Sequence, residues 1–146
     1  MNASTQIDAP IPANAAHQQA LTVLVVDDEA PSRMELQALI DGMGCRVVLA
    51  SGGAEAVAAF VREQPDIVLM DVMMPGVDGF QATEYIRELS GDSFVPIIFV
   101  TPTISEAEWT QCVARGGNDV LSKPINPAIL QAKIEAFSQL RRLYKV

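Results

Sequence analysis

Ile67-Val68-Leu69-Met70-Asp71-Val72-Met73-Met74-Pro75-Gly76 decides the fold. Four apolar residues run into a single carboxylate, and turn residues follow at once. A run this short and apolar reads as a strand covered on both faces, with Asp71 at its mouth. Three other segments repeat the pattern. Val23-Leu24-Val25-Val26 ends in Asp27-Asp28, Pro96-Ile97-Ile98-Phe99-Val100 ends in Thr101, and Asp119-Val120-Leu121-Ser122 ends in Lys123-Pro124. In an open parallel α/β sheet such ends lie along one edge, where ligands bind. Three acids, a hydroxyl and an amine converging there suit a divalent cation and a phosphoryl group.

Between the strands, near 22–26, 46–50, 67–71, 96–100 and 119–121, lie helical patterns. Pro31–Met43 carries Met34, Leu36, Leu39 and Ile40 and stops at Gly44. Gly53–Glu63 is rich in alanine and stops before Pro65. Asp78–Leu89 carries Phe80, Tyr85, Ile86 and Leu89 and stops at Gly91. Ser105 and Glu108 have the spacing of a capping box, opening a helix that stops at Gly116-Gly117. Pro127 suits the first turn of a last helix with Ile129, Leu130, Ile134, Phe137 and Leu140 along it. Five β/α units result. Right-handed crossovers then place helices on both faces of one doubly wound five-stranded parallel sheet.

The chain of 146 residues is long enough for one domain with a tail, and 49% hydrophobic content can fill its core. Residues 1–20, without clear periodicity, read as a mobile tail, 21–140 as the domain, and 141–146 as the end of the last helix or the start of a linker. A net charge of -8 and the lack of a basic recognition helix argue against nucleic-acid binding. No apolar run approaches the roughly 20 residues of a membrane span, and the first residues lack the pattern of a signal peptide. Cys45 and Cys112 fit no metal spacing and read as reduced, mostly buried thiols of a cytoplasmic protein. His17, the one histidine, has no second ligand beside it and reads as solvated.

Two carboxylates about 4 Å apart repel by roughly 4 kcal/mol at an effective dielectric near 20. Asp27, Asp28 and Asp71 together must therefore bind a proton or a cation. Hard oxygen ligands suit Mg²⁺. Lys123 and Thr101 can meet phosphoryl oxygens, which leaves Asp71 as the nucleophile of an aspartyl-phosphate. Any one of these residues alone reads as a turn or cap residue. The set, with every member at a strand end, carries the reading.

These residues resemble the receiver domain of two-component response regulators, the family of the bacterial chemotaxis regulator. The resemblance covers about residues 21–140 and rests on Asp27-Asp28-Glu29, on Asp71 within Asp-Val-Met-Met-Pro-Gly-Val-Asp-Gly, on Thr101 and on Lys123-Pro124. Thr101 lies 30 residues after Asp71, and Lys123 lies 22 after Thr101, intervals that fit the family. The resemblance implies a flavodoxin-like sheet in order 2-1-3-4-5. It implies Mg²⁺ held by Asp28, Asp71 and the backbone carbonyl of Met73, with Asp27 acting through water. It implies a phosphoryl group arriving from a phosphohistidine on a sensor histidine kinase or a histidine phosphotransfer protein, and a signal relayed by conformational change.

Three departures stand out. Val120 holds the place of the family's usual Tyr or Phe three residues before the lysine. Pro102, which has no N–H, follows the threonine where a small residue usually offers its amide. Trp109 is the candidate replacement for the missing aromatic, against plain helix packing with Val113. Three other readings stay open. One is an aspartyl phosphatase of the haloacid-dehalogenase type, although the first strand ends in Asp-Asp-Glu and not Asp-x-Asp. Another is a flavodoxin-like cofactor binder, whose phosphate Asp27-Asp28-Glu29 would repel. The third is a degenerate interaction domain that works without phosphorylation. The last helix, about 30 Å from Pro127 onward, is expected to outrun the sheet, leaving Leu140, Leu143 and Tyr144 partly exposed. They would then be free for an output domain or for a homodimer through the last helices.

Overall fold

The computed structural model describes residues 21–145. The tail expected over residues 1–20, with His17, lies outside them. Five strands alternate with five helices: β1 (Thr22–Val26), α1 (Ala30–Asp41), β2 (Arg46–Ala50), α2 (Gly53–Glu63), β3 (Ile67–Asp71), α3 (Gly79–Ser90), β4 (Ile97–Thr101), α4 (Glu106–Ala114), β5 (Asp119–Ser122) and α5 (Pro127–Lys145). All strand pairs are parallel, in the order β2-β1-β3-β4-β5. This is the expected sheet. β4 begins one residue later than the sequence pattern suggested and takes in Thr101, paired with Ser122. Pro96 has no N–H for the ladder and serves only as an acceptor, its carbonyl taking the Val68 amide at 2.9 Å.

Strand residues alternate between two cores, as a period of two requires. Leu24, Val26, Val68, Met70, Ile97, Phe99 and Val120 face Ala56, Ala59 and Phe60 of α2, Ala82 and Ile86 of α3, and Cys112 of α4. Val23, Val25, Ile67, Leu69, Ile98, Val100 and Leu121 face Leu36 and Ile40 of α1 and Leu130 and Ile134 of α5. Helices thus cover both faces, and β3 is buried along its whole length.

Local chemistry sets the helix starts. Asp78 and Gln81 form a capping box at α3, and Ser105 and Glu108 form the expected one at α4. At α5 the Asn126 carboxamide oxygen accepts from the amides of Ala128 and Ile129 at 2.9 and 3.2 Å. α1 has no side-chain cap. Its N-cap residue is Glu29, and Pro31 sits in the first turn.

The far end of α5 differs in part from the expected overhang. Leu140 and Leu143 are exposed, at 41% and 70%. The opposite side of that turn is tied to its own domain. Arg141 pairs with Asp66 at 2.9 Å and donates to the Phe94 carbonyl. Tyr144 stacks on Phe94 with ring centroids 4.6 Å apart while keeping most of its surface in solvent. The helix end is a braced extension, because a guanidinium and a ring at that height find partners in the turns below the sheet.

Candidate functional site

The two central strands bring the acids together. Val26 is in register with Met70, so Asp27 and Asp28, leaving β1, emerge beside Asp71 at the end of β3. Ligand oxygens of Asp27, Asp28 and Asp71 lie within 4.8 Å of one another. Asp27 and Asp71 are buried, at 1% and 5% exposure, and Asp28 faces solvent. Thr101 ends β4 and is also buried. Lys123 follows β5, and its amide donates to the Thr101 carbonyl at 2.9 Å. The sheet therefore gathers all five side chains expected from the sequence along one edge. Met73 stands two residues past Asp71, in the β3–α3 loop, with its side chain exposed.

Electrostatics follow from that crowding. Burial, joined by the charges of Asp27 and Asp28, pushes the Asp71 carboxyl up to about 6, against the opposing pull of Lys123. The Lys123 ammonium lies 3.0 Å from Asp27 Oδ2 and 3.9 Å from Asp71 Oδ2. Its own pKa is pulled down by burial, but the Asp27 hydrogen bond and the charges of Asp71, Asp27 and Glu29 outweigh burial and raise it. The lysine is held charged between two carboxylates, and Asp71 holds its proton more tightly than an ordinary aspartate. Three hard oxygen donors that repel one another fit a small divalent cation such as Mg²⁺.

Two partners of Asp27 lie outside the sequence pattern. Ser32, in the first turn of α1, donates its hydroxyl to Asp27 Oδ2 at 2.5 Å, and Arg33 donates to the Asp27 carbonyl at 2.7 Å. The Glu29 amide adds a bond to Oδ1 at 2.9 Å. No periodicity marks Ser32. The usable signal was a serine in the first turn of a helix that starts directly after the acids.

The departures also find their places. Val120 is buried opposite Phe99, in a core that includes Cys112. Phe80 packs edge-on to Phe99 at 5.1 Å and lies beneath the Arg115 guanidinium at 4.9 Å. Trp109 does not replace the missing aromatic in that core: it is 42% exposed, on a helix whose buried residue is Cys112. Beside Thr101 opens a cleft of about 630 Å³ lined by Met73, Met74, Phe80, Cys112 and Arg115 among others. Cys45 is half-buried, Cys112 is buried, and both are free thiols.

A parallel sheet of this order with clustered acids and a lysine at its carboxyl edge defines a phosphoacceptor signalling domain. Residues 23–135 match the family model for the response regulator receiver domain, and the chain belongs to that family. It is 36% identical over 114 residues to Protein PilH of Pseudomonas aeruginosa, an alignment covering 78% of this chain and 94% of that one. The solved receiver domain of sensor histidine kinase PA1611 from the same species, described with magnesium in its active-site cleft, is 32% identical with a TM-score of 0.76. That match covers 82% of this chain and 98% of the other. The probable transcriptional regulator ycf27 of Guillardia theta is 42% identical over 123 residues, covering 84% of this chain and 46% of its own length. The chain thus spans about half the length of several curated relatives it matches. Among the described residues no helix is long and apolar enough to cross a membrane.

Proposed function

We propose that Asp71 is the phosphoacceptor of this receiver domain, with Mg²⁺ held by Asp28, Asp71 and the Met73 carbonyl. The observation that carries this is the cluster of three carboxylates within 4.8 Å with Lys123 set between Asp27 and Asp71. Asp27 already accepts three hydrogen bonds through its carboxylate, which suits an indirect role through water. When bound, Mg²⁺ neutralises the mutual repulsion of the acids and part of the phosphoryl charge. An Asp71 oxygen attacks phosphorus, and the phosphorus–nitrogen bond of a phosphohistidine breaks with its electron pair leaving on the imidazole. Lys123 meets one phosphoryl oxygen and Thr101 another. The donor is a sensor histidine kinase or a histidine phosphotransfer protein. Relay runs to an output domain or a second copy through the last helices. The protein supports its own phosphotransfer and slow dephosphorylation and is not a turnover enzyme.

Incubation with acetyl phosphate and Mg²⁺, followed by intact-mass measurement, is expected to give one stable adduct of roughly 80 Da, the mass of a phosphoryl group. Steady phosphate release without the adduct would point to the aspartyl phosphatase, and no reaction at all to the degenerate domain.

Pro102 favours that last reading, since the amide that would meet the phosphoryl group is absent. A charge-assisted backbone hydrogen bond contributes about 1.5–3 kcal/mol. Pro102→Ala is therefore expected to bind beryllofluoride roughly tenfold or more tightly than wild type in Mg²⁺, read by Trp109 fluorescence. Equal or weaker binding would make Pro102 only a loop stiffener.

A further inference from the structure

We propose that Ser32 is a positioning residue for phosphoryl acceptance: its hydroxyl keeps Asp27 hydrogen-bonded when Lys123 turns from Asp27 to the incoming phosphoryl group. The proposal rests on reading Asp71 as the acceptor. Ser32 and Lys123 share one oxygen, Asp27 Oδ2, at 2.5 and 3.0 Å. That carboxylate is 1% exposed, so bulk solvent has little access to replace a donor that leaves Oδ2. A buried anionic oxygen stripped of its only donor is strongly disfavoured.

Lys123 stands closer to Asp27 than to Asp71, by 3.0 against 3.9 Å. In this proposal its ammonium shifts toward Asp71 to meet a group bound there. With Ser32 in place, Oδ2 keeps a short hydrogen bond throughout that movement. Without it, Lys123 becomes the only side-chain donor to Oδ2 and is held back.

The hydroxyl is not spent on capping its own helix. Glu29 is the N-cap of α1, and no side-chain cap bond is made there. A serine in a first turn ordinarily bonds local backbone, whereas this one reaches five residues back to a carboxylate of the site. The Glu29 amide and the Arg33 bond hold Asp27 Oδ1 and its carbonyl. Ser32 alone is then needed for neither the loop's path nor the cation's direct oxygen ligands.

The test compares wild type, Ser32→Ala and Ser32→Thr by Trp109 fluorescence, titrating Mg²⁺ alone and then beryllofluoride at saturating Mg²⁺. Ser32→Ala is expected to hold Mg²⁺ within about twofold of wild type and to bind beryllofluoride roughly tenfold more weakly, a change of about 1.4 kcal/mol. Ser32→Thr, which keeps the hydroxyl, is expected to restore binding to within about threefold of wild type, well inside that same interval. A parallel loss of both affinities in Ser32→Ala would make Ser32 a structural prop and overturn the proposal. So would unchanged beryllofluoride binding, which would mean that Lys123 reaches both groups at once. Failure of the wild type itself to bind beryllofluoride would instead overturn the acceptor reading, and this proposal with it.

Discussion

Asp71→Asn is expected to take up no phosphoryl group from acetyl phosphate and, without Mg²⁺, to be more stable than wild type above pH 6. The first effect follows from the proposed role of the Asp71 carboxylate oxygen as the attacking group. The second follows from the crowding of the acids. In the folded protein the Asp71 carboxyl is raised from 3.8 to about 6, chiefly by burial and then by Asp27 and Asp28. The folded state therefore binds the proton more tightly than the unfolded chain does. Wild-type stability falls as pH rises from about 3.8 to about 6, and the loss is complete above that. At 1.36 kcal/mol per unit the full loss is at most about 3 kcal/mol, and solvent screening at the open edge of the site reduces it. Asparagine carries no charge to lose, so its advantage is absent near pH 3.5, grows across that window and is largest at pH 7 to 8. Denaturant unfolding in EDTA at several pH values measures it. Mg²⁺ should shrink the advantage by neutralising the wild-type cluster. A mutant less stable than wild type at pH 7.5, or one that still gains the phosphoryl group, would contradict the assignment.

Gly79→Ala is expected to destabilise the domain by about 3 kcal/mol or more, toward the upper end of what overpacking costs. It is also expected to weaken Mg²⁺ binding by displacing Asp71. Gly79 opens α3 with its amide bonded to the Val72 carbonyl at 3.0 Å, which folds the β3–α3 loop back against the strand end. A Cβ there would lie 2.1 Å from the Asp71 carbonyl oxygen and 3.0 Å from the Val72 Cα. Both are backbone atoms of the site, so relief requires moving the strand end itself. Gly76 offers the contrast. Its φ of 74° disfavours a side chain, but a Cβ there meets nothing within 4 Å. Gly76→Ala should cost about 1 kcal/mol and leave Mg²⁺ affinity nearly unchanged. Chemical denaturation and Mg²⁺ titration of both variants check the pair. A loss below about 1 kcal/mol in Gly79→Ala would mean that the loop is slack enough to absorb a methyl group.

The strands and the identity of the site were legible in the chain because both depend on local pattern. Ile67–Met70 and Ile97–Val100 are short, rich in β-branched residues and flanked by turn residues, as strands buried on both faces are, and a chain of β/α alternations has few ways to fold. Asp71, Thr101 and Lys123 could be placed because each ends such a strand, so one-dimensional position already implied a common edge. Capping boxes such as Ser105 with Glu108 are local in the same sense. Tertiary structure alone decided which donors share an oxygen. Ser32 meets Asp27 only because α1 rises from the acids at a particular angle, and Lys123 meets the same oxygen from 96 residues away. It also decided that Trp109 faces solvent and leaves Val120 to fill the core, and that Arg141 and Tyr144 brace the end of α5. These contacts depend on side-chain direction and on the packing of elements far apart in sequence, and neither is encoded in the hydrophobic period of any single segment.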